Sequence, residues 1–205
     1  MRLIVLSLLV LLGGRTAFGA ATPSVTTNSV LVQNHGTLSW VVLAGWEYTP
    51  PRADPSGAMP ATFRLRSPAG QPSLIVTVFW DGFGPKKFSP SDKEMADLVK
   101  KNAEEKYAPS SVEKEVHLTP LAGARMRGNF ISFTDSQFAD KEPKDIPAGE
   151  ARNATIGMFR SGNLWGNFTM LTNAKEGEQF DQALAVVKSF SGIPVEKESG
   201  PASPK

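Results

Sequence analysis

The residues best placed to do chemistry stand together in one stretch, Asp81-Gly82-Phe83-Gly84-Pro85-Lys86-Lys87-Phe88, directly after the apolar run at 73–80. An acid, two glycines and two lysines in this setting could build a phosphate cradle or hold a catalytic carboxylate at a strand end. A P-loop places four residues between its glycines and then Lys and Ser/Thr at a helix start, so that backbone N–H groups wrap the phosphates; Pro85 deletes one such donor and Phe88 follows the lysines. A dinucleotide fingerprint needs a third glycine where Lys87 stands, within a parallel βαβ unit. Asp81 has no second acid in its own motif. Asp81-Gly82 opens a turn and Gly84 supplies a backbone angle that other residues avoid, so the stretch reads as the exit of a strand.

Other chemistries are bounded by residue type. The chain has no cysteine, which removes thiol nucleophiles, Cys-based zinc sites and redox pairs. His35 and His117 are its two histidines; a three-His metal site is impossible, and neither an H-E-x-x-H pattern nor a G-x-S-x-G elbow occurs. The acids Asp135, Asp140, Glu142 and Asp145 could face a hard cation, but they lack calcium-loop spacing and read as a solvated loop. The expectation is a chain with no catalytic constellation, no metal and no cofactor.

Binding residues are a separate matter. Trp80 and Phe83 flank the Gly-rich turn, and Trp165 follows a second turn at Ser161-Gly162-Asn163. If both turns meet at one end of a sheet, the three rings rim a shallow apolar groove, with Arg64 or Arg66 available for a carboxylate. The competing reading buries all three rings in the core.

The elements that position these residues come from the whole chain. Arg2, the apolar run from Leu3 to Leu12 and small residues at Ala17, Gly19 and Ala21 have the layout of a secretory signal peptide over residues 1–20, too short for a membrane anchor. Lys and Arg total 22 against 20 acids, and removing Arg2 and Arg15 with the signal leaves 20 of each, so a nucleic-acid partner is not expected. The predicted organisation continues with an N-terminal extension at 21–36, a single domain at 37–192, and a disordered Pro/Ser/Gly tail at 193–205. The processed chain is expected to be periplasmic or extracellular, bacterial, and without stable membrane insertion.

Within the domain, β-branched and aromatic residues predict one strand over 37–48, stopped by Pro50-Pro51. Alternation in 61–67 and the run at 73–80 predict an antiparallel hairpin. Met95, Leu98, Val99, Ala103 and Tyr107 recur at helical spacing behind a Ser91/Glu94 capping box. Four further strands are predicted at 112–118, 124–135, 153–162 and 164–173, with an exposed loop at 136–152. A last helix carries Phe180, Leu184, Val187 and Phe190 on one face, with Asn173 as its cap. Strands, helix, strands, helix define an α+β class: a central antiparallel sheet of about six strands flanked by two main helices.

With these elements in order, residues 45–190 resemble the PsbP-like family of exported α+β domains. The stretches GWEYTPP, MPATFRLRSPAG and SLIVTVFWDGFG carry the resemblance, together with the closing hairpin and helix NATIGMFRSGNLWGNFTMLTNAKEGEQFDQALAVVKSF. It implies a sheet flanked by helices and a non-catalytic accessory or binding role, and it transfers no binding residue. The expected function is an exported binding domain whose partner is an unknown protein or small ligand of the cell envelope. The alternatives are a hydrolytic enzyme using Asp81 or scattered acids, and a structural envelope protein.

Overall fold

The computed structural model describes residues 25–195; the signal-peptide reading and residues 196–205 of the tail lie outside them. In chain order the elements are β1 (Val25–Val32), β2 (Gly36–Leu43), β3 (Glu47–Thr49), β4 (Ala61–Arg66), β5 (Ser73–Trp80), α1 (Asp92–Asn102), β6 (Thr119–Ala122), β7 (Arg127–Thr134), β8 (Asn153–Ser161), β9 (Leu164–Thr172), α2 (Glu178–Lys188) and β10 (Ser191–Ile193). The fold is α+β. A seven-stranded sheet has the order β3-β4-β5-β9-β8-β7-β6 and a three-stranded sheet the order β1-β2-β10, every pairing antiparallel.

Period-two alternation fixes which side chains meet. On β4, Ala61, Phe63 and Leu65 are buried while Thr62, Arg64 and Arg66 are exposed. The buried set joins Leu74, Val76 and Val78 of β5 and Phe168 of β9 in a core closed by the inner face of the small sheet (Leu38, Trp40, Val42) and by α2. α2 contributes Phe180, Leu184 and Val187, as its periodicity predicts. The rings of Phe159 and Phe168 fit because Gly166 and Gly157 lack side chains: a Cβ at Gly157 would stand 2.5 Å from the Phe168 ring, and one at Gly166 would stand 2.8 Å from that of Phe159.

On the opposite face, α1 packs Met95 and Val99 over Ile131 and Phe133 of β7 and Ile156 and Met158 of β8. The capping box is present: the Glu94 N–H donates to Ser91 Oγ (3.2 Å) and the Ser91 N–H to Glu94 Oε2 (2.7 Å). Past Asn102 the chain continues as a π turn to Tyr107 and a 3-10 turn to Ser110, so Pro109 sits at the end of the helical run.

Several expectations are corrected. The predicted strand at 37–48 is two strands in different sheets, broken where Gly45 takes φ +87°, a left-handed angle that ends the ladder. The predicted extension at 21–36 contains β1, which pairs with β2 along its whole length. Ile193, placed in the tail, belongs to β10 and pairs with Thr37. Residues 112–118 form no strand: hydrogen bonding with β7 is limited to the Ser111–Asp135 bridge, the Val112 N–H to the Thr134 carbonyl (2.9 Å) and the Glu113 side chain on Thr134, and the chain then leaves the sheet edge. α2 starts after Gly177 with no side-chain cap, not at Asn173, and Leu98 lies 41 % exposed outside the α1 stripe. The loop at 136–152 is exposed for much of its length but buries Phe138.

Candidate functional site

The strand-exit stretch folds as its glycines dictate. Gly82 and Gly84 adopt φ of +85° and +74°, and a bridge between Phe83 and Phe88 closes a tight loop held by the Phe88 N–H to the Phe83 carbonyl (2.9 Å). Asp81 accepts from Arg160 Nη1 at 3.0 Å, and the same guanidinium donates to the Pro90 carbonyl at 2.6 Å. The acid therefore ties the loop to β8. Lys86 and Lys87 are exposed.

The two turns do meet at one end of the sheet, where the Asp81 N–H donates to the Asn163 carbonyl at 2.9 Å. The expected common groove does not form. Trp80 is 8 % exposed on the core face shared with the small sheet, whereas Trp165 is 5 % exposed on the α1 face. Adjacent positions on neighbouring strands, Trp80 opposite Leu164 and Phe79 opposite Trp165, point to opposite sides of the pleat. The Trp165 indole N–H donates to the Trp80 carbonyl (3.1 Å), and the Trp165 ring stacks on Phe79 with centroids 4.4 Å apart. His35 stacks on Trp80 at 4.0 Å, and burial lowers its pKa. Phe83 is half-buried, edge-on to both Phe79 and Trp80. These rings pack the sheet end.

The two arginines lie elsewhere. Arg64 pairs with Ile75 and Arg66 with Ser73, five and seven residues from Trp80 along β5. At about 3.3 Å per residue these separations are about 16 and 23 Å, so the arginines and the rings cannot form one small site.

What the arginines do share is the uncovered half of the α1 face. α1 covers β7 and β8 and stops, leaving the outward positions of β4, β5 and β9 as a floor: Thr62, Arg64, Arg66, Ile75, Thr77, Asn167, Thr169 and Leu171. Its walls are Leu98, Asn102 and Lys106 beside a cleft of about 440 Å³, the segment 50–60 on a second margin, and Ile146, Pro147 and Glu150 on a third. Thr62 and Thr77 hydroxyls bond across the strands at 3.0 Å. Among the described residues no carboxylate lies within salt-bridge distance of Arg64 or Arg66, although Glu47 occupies the cross-strand position opposite Arg66. The three floor strands contain no Asp, Glu or His. Guanidinium, hydroxyl and amide donors flank a few apolar side chains, which suits recognition of carbonyl, carboxylate or hydroxyl groups.

Sequence reasoning named Arg64 and Arg66 but missed Thr62, Thr77, Asn167 and Thr169. The available signal was that β9 alternates buried Leu164, Gly166, Phe168 and Met170 with polar Asn167 and Thr169, the pattern of a strand wet on one side. Elsewhere, Asp135 accepts from the Gln137 N–H inside its own turn, and among the described residues the acids of the 135–145 loop do not gather into a set of three ligands. No helix among the described residues is long and apolar enough to cross a membrane.

No family model matches the chain, and no curated protein matches it. Among solved structures, it is similar to the solution structure of cyanobacterial PsbP (CyanoP) from Synechocystis sp. PCC 6803, at 12 % identity over 85 % of this chain and 96 % of that one, with a TM-score of 0.49. A likeness this distant assigns neither family nor function.

Proposed function

We propose that the chain is an exported, non-catalytic binding or accessory domain that meets an envelope partner on the uncovered floor of its large sheet. The observation that supports this reading is the floor itself: half of one sheet face lacks a covering helix, and it presents Arg64 and Arg66 without an ion-pair partner among the described residues. Arginine held over a sheet surface donates bidentate, charge-assisted hydrogen bonds, and the threonine and asparagine groups beside it add neutral ones. Asp81, on which a hydrolytic reading would rest, has a structural task in pairing Arg160. Export is supported by the leader-like layout of residues 1–20.

The test is retention of envelope components on the immobilised, processed chain, compared with Arg64→Glu/Arg66→Glu and with Lys188→Glu on the exposed side of α2. The reading predicts a component that the double variant releases and the α2 variant keeps, with all three chains melting alike. Equal retention by all three removes the floor from consideration.

A further inference from the structure

Of the four strand edges in the two sheets, three are blunted. β3 has three residues, carries Glu47 and runs into Pro50-Pro51; β6 has four and contains Pro120; β10 has three and is followed by Pro194. Shortness, charge and proline are the ordinary defences of an edge against pairing with another chain. β1 has none of them. It is eight residues long, VTTNSVLV, it pairs with β2 on one side, and among the described residues no strand pairs its other side. Every second residue of β1 therefore directs an N–H and a C=O outward.

The occupant follows from charge and symmetry. The strands β1, β2 and β10 contain no charged residue at all, in a chain that is 20 % charged. Two copies of one strand paired antiparallel about a two-fold axis set the residues at the axis against themselves and their near neighbours, so a charge in the middle of the strand would meet its like at close range. An uncharged strand is the composition that tolerates this arrangement.

The register can be read as well. A two-fold perpendicular to the sheet keeps outward residues on one side, so pairing positions must differ by an even number. The segment 51–60 reaches the end of β1, where Gln33 Nε2 donates to the Pro55 carbonyl at 3.3 Å, and Leu31 at its margin stays exposed, so residues 25–31 remain for pairing. The axis then falls on Asn28, pairing Val25 with Leu31 and Thr27 with Ser29. Val25 and Leu31 are 61 % and 66 % exposed, the two most exposed apolar side chains of the strand, and this register covers each with the other. We infer that β1 is a homotypic docking edge, joining two copies of this chain through β1 into one continuous six-stranded sheet centred on Asn28. This inference is independent of the floor described above.

The absence of cysteine makes the test clean. Sedimentation of the processed chain should show a concentration-dependent monomer–dimer equilibrium, and Asn28→Cys under mild oxidation should yield a disulfide-linked dimer, since directly opposed residues lie within disulfide reach. Val41→Cys, exposed on the middle strand, should yield none. Thr27→Lys/Ser29→Lys, at exposed positions, should weaken dimerisation on the order of tenfold with an unchanged melting temperature. A chain that stays monomeric at every concentration overturns the inference, as does a dimer indifferent to the lysines or equally linked through Val41→Cys.

Discussion

Glu113 offers the sharpest quantitative check on the packing. It lies in the irregular segment after α1 and reaches two elements at once: its carboxylate accepts from the Thr134 N–H (2.6 Å) and Thr134 hydroxyl (2.9 Å) of β7, and from Lys175 between β9 and α2. Burial raises the pKa of this carboxyl, but the hydrogen bonds from Lys175 and Thr134 outweigh it and hold the value down to about 2 from an ordinary 4.5. At ~1.4 kcal/mol per pH unit the ceiling on its contribution is ~3 kcal/mol. Its side chain is 29 % exposed and that of Lys175 34 %, so solvent screening reduces the expected contribution to ~1–2 kcal/mol. Because the folded value is below the ordinary one, this stability is fully present above pH 4.5 and is lost as pH falls towards 2. Glu113→Gln should therefore lower urea-unfolding stability by ~1–2 kcal/mol at neutral pH, and the gap from the parent should shrink as the pH approaches about 2. A gap of the same size at both ends of that range, or none at neutral pH, would refute the assignment.

Two contrasts test the sheet faces by chemical denaturation. Leu184→Asp places an unpaired charge in the core under α2 and should cost several kcal/mol, whereas Leu98→Asp, on an exposed flank of α1, should change stability by less than ~1 kcal/mol. Equal destabilisation would mean α1 is rotated on the sheet. Gly157→Ala should cost ~1–3 kcal/mol, because its Cβ would meet the Phe168 ring at 2.5 Å and the Asn129 carbonyl at 2.7 Å; adding Phe168→Leu should recover part of the loss, and no recovery would relocate the strain.

The legible parts of the fold were those where one local rule acts alone. The Ser91/Glu94 capping box, the alternation of β4, and the hairpin around Ser161-Gly162-Asn163 are each set by a few adjacent residues, and each is present in the structure. The misread parts are those that local composition does not mark. β1 is rich in Thr, Ser and Asn, and it is defined as a strand by its ladder to β2. The break between β2 and β3 rests on Gly45 inside a continuous β-forming run, which composition cannot distinguish from an ordinary strand glycine. The aromatic site failed for a geometric reason: Trp80 and Trp165 reach the same end of the sheet, but one step of register sends their rings to opposite faces. Arg64 and Arg66 were readable as outward residues of an alternating strand; that α1 leaves them uncovered is a property of the assembled layers.

The central claim is that this chain binds through the uncovered sheet floor. A photo-crosslinking side chain placed at Asn167, exposed on that floor, and separately at Ala185, exposed on α2, compares the two faces directly in the intact envelope. The account predicts a discrete heterologous adduct from Asn167 that disappears with Arg64→Glu/Arg66→Glu, and none from Ala185. Adducts of equal yield from both positions, or an Asn167 adduct indifferent to the arginines, would contradict it.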